Sequence, residues 1–138
     1  MRGIYGIASG DSSVSLETTN RLWRESSSAP AVSVIMIGHR SFALLSRAIF
    51  SLLRFSPPGQ LWELVLVVNG DCLEVAEWAA ELLRSERLAM ATVIVSERRP
   101  GAARNAGVRL ARAPVLFFLD DDIECFQNVI GAAADLFR

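Results

Sequence analysis

Apolar residues are spread unevenly along the chain. Up to Pro30 they come as short patches (Ile4 to Ile7, Leu16, Leu22-Trp23) among Ser, Thr and Gly, and no period is sustained. This predicts a flexible leader over residues 1–30 with one short helix in it. After Pro30 the pattern changes abruptly to Val32-Ser33-Val34-Ile35-Met36-Ile37, a β-branched apolar run stopped by Gly38. A run of that kind is a strand buried on both faces. From Phe42 to Phe55 the apolar residues Leu45, Ala48, Ile49, Leu52 and Leu53 recur at three and four, Ser41 can cap the start, and Pro57-Pro58-Gly59 ends the segment. The spacing predicts a helix.

The same cycle then repeats. Leu64 to Val68 reads as a strand closed by Asn69-Gly70, and Leu73 to Leu83 as a helix. Thr92 to Val95, Ala102 to Ala111, Val115 to Leu119 and Phe126 to Phe137 continue as strand, helix, strand and helix. Four short apolar strands alternating with helices predict an α/β fold, an open and mainly parallel sheet with helices on both faces, over residues 31–138.

Composition narrows the function classes. In 138 residues, 14 basic side chains face 15 acidic ones for a net charge of −1, so no positive excess favours nucleic acid or anionic lipid. All the basic residues are arginine. The start of the chain lacks the charged-then-apolar order of a secretory signal and no apolar run reaches the roughly 20 residues of a membrane span, so a cytoplasmic location is expected. Cys72 and Cys125 stand far apart, without the spacing of a zinc site or redox pair, and read as small apolar residues. Trp62 and Trp78 read as core or interface filling.

In an open α/β sheet, ligands gather outside the carboxyl ends of the strands. Those ends carry Gly38-His39-Arg40, Asn69-Gly70-Asp71, Glu97-Arg98-Arg99-Pro100-Gly101 and Asp120-Asp121-Asp122. The last is the strongest signal. Three carboxylates in a row repel one another unless a cation or an arginine neutralises them, and a hard divalent ion takes such oxygens together with phosphate and water. Extended backbone would turn Asp120 and Asp122 to one side and Asp121 to the other. The competing reading is a solvated acidic turn that caps the last helix. Arg104 and Asn105 sit in the first turn of a helix whose amides favour an anion, and Arg104 could equally neutralise the acid cluster. The single histidine, His39, reads as structural rather than catalytic.

Taken together, Val32-Ser33-Val34-Ile35, the helix from Leu44-Leu45 to Ser51-Leu52-Leu53, Ala103-Arg104-Asn105-Ala106-Gly107 and Phe118-Leu119-Asp120-Asp121-Asp122 resemble the family 2 glycosyltransferases, inverting enzymes of the GT-A fold. The resemblance runs from about Ala31 to the end. It implies a Rossmann-like, nucleotide-sugar-binding half domain in which the first and fourth predicted strands are neighbours. It places Asp120 and Asp122 as the acids of an Asp-any-Asp motif that holds Mn²⁺ or Mg²⁺. Gly38, His39, Asn69, Asp71, Arg104, Asp120 and Asp121 are implied as the surroundings of a UDP- or GDP-linked donor.

The chain departs from that family at Ile37-Gly38-His39-Arg40, where Pro-Thr-Tyr-Asn is usual, and at Val68-Asn69-Gly70-Asp71, where Asp-Asp-Gly-Ser is usual. Inverting transfer also needs a carboxylate to take the acceptor's proton. No residue here matches that base, so the catalytic residue is unassigned. The resemblance implies a C-terminally truncated fragment whose base-bearing half, or a protein partner, is missing. The alternative is an inactive binding or interaction module that keeps the fold.

Overall fold

A computed structural model describes residues 14–38, 41–57, 59, 61–69, 72–95 and 100–137. The elements are β1 (Val14–Thr19), α1 (Arg21–Glu25), β2 (Val32–Gly38), α2 (Phe42–Phe55), β3 (Trp62–Asn69), α3 (Leu73–Ser85), β4 (Met90–Val95), α4 (Pro100–Leu110), β5 (Val115–Asp120) and α5 (Val129–Leu136). One sheet has the order β1-β4-β3-β2-β5. β4, β3, β2 and β5 run parallel, and β1 closes one edge antiparallel to β4. The expected α/β class and the pairing of β2 with β5 are both observed.

Alternation along each strand divides the core between two faces. Val34, Met36, Leu64, Leu66 and Met90 pack with Leu45, Ile49 and Leu52 of α2, Val75 and Leu82 of α3 and Ile130 of α5. On the opposite face Val67, Val93 and Val95 meet Ala103 and Ala106 of α4, while Ile35, Val65 and Ala91 meet Trp23 of α1. The small residues of α4 let it sit directly on the sheet. A Cβ on Gly107 would stand 2.7 Å from Ile35 Cγ2 and 3.2 Å from Val67 Cγ2. Local capping follows the sequence: Ser41 accepts from the Leu44 amide, and Asn128 accepts from the Gly131 amide at 2.9 Å, which starts α5 at Val129 instead of Phe126.

The flexible leader requires correction from Val14 onward. Residues 14–19 form β1, and Asn20 fastens the turn that follows: its carboxamide donates to the Leu88 carbonyl at 2.7 Å and accepts from the Met90 and Trp23 amides. Trp23 is buried under the sheet. Buried polar groups with paired partners and a buried indole hold this segment to the domain. The earlier part of the predicted leader, residues 1–13, lies outside the described residues.

Candidate functional site

β5 is an edge strand, and its inner and outer sides differ. Val115, Phe117 and Leu119 pack toward the larger core, whereas Leu116, Phe118 and Asp120 face solvent on the side that α4 occupies farther into the sheet. Asp120 ends the strand, and the Ile123 amide donates to its carbonyl at 3.3 Å across the turn that follows. Along that turn Asp120 is exposed, Asp121 is 2% exposed and Asp122 is exposed. Asp121 and Asp122 form the turn rather than continuing the strand, so the extended geometry expected for the three acids ends at Asp120. Asp121 turns into the protein and has almost no surface to offer a nucleotide.

Arg104 is the fifth residue of α4, one turn before Gly107 brings that helix against β2 and β3. Its guanidinium carbon stands 5.2 Å from the centre of the Phe118 ring. Phe118 pairs in register with Ile35 of β2, so the ring sits beside the helix and two residues before Asp120. The contact shown for Arg104 among the described residues is with this aromatic face.

The other implied donor residues are placed unequally. Gly38 ends β2 on the α2 and α3 side, where a Cβ would stand 3.0 Å from Leu45 Cδ2 and 3.1 Å from Val75 Cγ1, so its lack of a side chain serves helix packing. Asn69 ends β3 beside Val95. His39 and Asp71 lie outside the described residues. The two cysteines are free thiols, and burial pushes the Cys125 thiol pKa up, away from reactivity.

Asp120 and Asp122 are hard oxygen donors at a strand end. No cluster of three or more His, Cys, Asp or Glu side chains able to enclose a metal exists among the described residues. Two carboxylates could supply only part of the shell of a hard divalent ion, the rest coming from phosphate and water.

At the other end of the sheet lies a polar cluster that sequence reading missed. Glu63 of β3 is fully buried. Its carboxylate accepts from Ser33 Oγ at 2.7 Å, from the Arg112 amide at 2.9 Å and from Arg112 Nε at 2.8 Å. Arg112 also donates to the Trp23 carbonyl at 2.7 Å and lies 3.9 Å over the Trp23 ring. An open cavity of about 440 Å³ beside this cluster is lined by Leu22, Pro30, Trp62, Arg87, Leu88 and Arg112, among others. No helix among the described residues is long and apolar enough to cross a membrane.

Comparison with known proteins places these features in context. The model of the family "Glycosyl transferase family 2" matches residues 33–138. The chain is 37% identical over 101 residues to polypeptide N-acetylgalactosaminyltransferase 4 of Caenorhabditis elegans, covering 72% of this chain and 16% of that protein. It is 36% identical over 102 residues to N-acetylgalactosaminyltransferase 6 of Drosophila melanogaster, covering 72% and 15%. Among solved structures, S. aureus TarS 1–349 in complex with UDP-GlcNAc superimposes with a TM-score of 0.65 at 23% identity, covering 77% of this chain and 30% of that one. The same TarS fragment in complex with UDP gives 0.63 at 24%, covering 77% and 32%. The chain therefore spans about a sixth of the length of these curated relatives.

Proposed function

The chain belongs to glycosyl transferase family 2, and on that premise we propose that it binds a nucleotide-sugar donor at the carboxyl end of its parallel strands. The observation that carries the reading is the exposed pair Asp120, at the end of β5, and Asp122, in the turn that follows, with Arg104 in the N-terminal half of α4. A diphosphate brings two negative groups to a place that already holds carboxylates, so a bridging divalent ion is required. Asp120 and Asp122 would hold Mn²⁺ or Mg²⁺, which when bound offsets charge on the diphosphate leaving group. Arg104 and the amides at the start of α4 approach the phosphates from the helix side and orient them. Of the two donor classes, UDP-linked is preferred over GDP-linked, because TarS has been solved with UDP-GlcNAc and with UDP.

Calorimetric titration of the chain with UDP tests this. Binding is expected with Mn²⁺ present, and is expected to vanish with chelator and in Asp122→Ala. Equal binding in chelator would remove the metal from the reading. No binding under any condition would remove the donor site itself.

A further inference from the structure

Phe118 is a large aromatic residue left 45% exposed on the outer face of β5, which it shares with Leu116. Its neighbours on β5, Phe117 and Leu119, pack against the larger apolar cluster, so burial does not account for Phe118. Its one described partner is the Arg104 guanidinium, 5.2 Å from the ring centre. We infer that Phe118 is a positioning residue for the donor site: its ring restrains the Arg104 guanidinium and leaves the N–H fork to the diphosphate. The inference rests on the donor-binding reading above.

A cation over an aromatic face is bound through the plane of the guanidinium, which leaves the five in-plane N–H donors available. Pairing with a carboxylate would instead occupy that fork. Among the described residues no hydrogen bond or ion pair from Arg104 takes it up. Finally, an arginine side chain loses much rotamer freedom when it binds an anion, and a ring that already restrains it removes part of that loss before the ligand arrives. The strand register makes the arrangement rigid. Phe118 is paired to Ile35, and Ile35 is the residue against which Gly107 seats α4, so ring and arginine are referred to the same point of β2.

The test is a titration series with UDP and Mn²⁺ on the whole chain, with a thermal melt of each variant. Phe118→Leu keeps an apolar side chain but no ring, and is expected to raise the Kd roughly two- to fivefold, as an exposed cation–π contact allows. Phe118→Tyr, which keeps the ring, is expected to bind like the wild type. In an Arg104→Ala background, Phe118→Leu is expected to change nothing further. Should the leucine variant not fold, Phe118→Ile, suited to an edge strand, gives the same readout. Wild-type binding that is unchanged by Phe118→Leu overturns the inference alone, as does an equal loss in the Arg104→Ala background. Failure of the wild-type chain to bind UDP overturns the donor reading and the inference with it.

Discussion

Arg112 and Arg104 stand at opposite ends of the sheet, and each lies over an aromatic ring. Arg112, over Trp23, spends its donors inside the protein, on the buried Glu63 carboxylate and the Trp23 carbonyl. Arg104, over Phe118, is exposed, and the strand that carries that ring ends two residues later at the exposed Asp120. The same side-chain pair thus serves two ends. Where a buried acid faces the fork, the arginine becomes a structural tie joining α1, β3 and the α4–β5 connection; where none does, it stays open to an anion. Residue type alone does not separate stabilising charges from functional ones, but the surroundings of the N–H groups do.

The contrast can be broken by substitution at either end. The largest effect is expected from Arg112→Ala, which strands a fully buried carboxylate: about 4 kcal/mol of unfolding free energy should be lost in urea denaturation. UDP binding by the remaining folded fraction should be unchanged. A loss below about 1 kcal/mol would show that the Glu63 cluster is not a tie. Next comes Trp23→Ala, expected to cost about 3 kcal/mol by emptying a buried indole site and uncovering Arg112. Thermal melting at the wild-type temperature would return residues 14–25 to the status of a loose leader.

Gly107→Ala should sit between the two ends. Its new methyl meets Ile35 Cγ2 at 2.7 Å, so about 2 kcal/mol of overpacking is expected. The lifted helix should also weaken UDP binding measurably, because the first turn of α4 moves with it. The smallest stability effect belongs to Asp122→Ala, less than about 0.5 kcal/mol for an exposed turn residue, although metal-dependent UDP binding should be lost. If that variant instead unfolds easily and still binds, the two ends have exchanged roles.

What could be read from sequence follows from how each element is buried. β2, β3, β4 and β5 have neighbours on both sides or on one edge of a parallel sheet, and their continuous apolar runs announce themselves. β1 is short, antiparallel and at the edge. Its Val14-Ser15-Leu16-Glu17 alternation was a strand signal too brief to stand out among serines and threonines. Glu63 was equally legible in retrospect: a carboxylate beside Trp62 in an apolar strand must find a buried donor. Starting that strand at Leu64 hid it. Extended geometry accounts for the acids only as far as Asp120, because the turn that buries Asp121 begins there. The contact of Arg104 with Phe118 is not legible either, because it depends on the pairing of β5 with β2 and on the seat of α4, neither of which is local.

The antiparallel seam between β1 and β4 has a consequence in time. Thr19 pairs with Ala91, and the Asn20 carboxamide waits for Leu88 and Met90. The first described strand therefore has no partner until two further strand–helix cycles and then β4 have been made, and closing so long a loop is slow compared with docking neighbouring strands. During synthesis on the ribosome, β1 emerges before β2, β3 and β4 and must wait for all three before its own partner is present. Pulse-labelled hydrogen exchange should find its amides protected after those of β2 and β3.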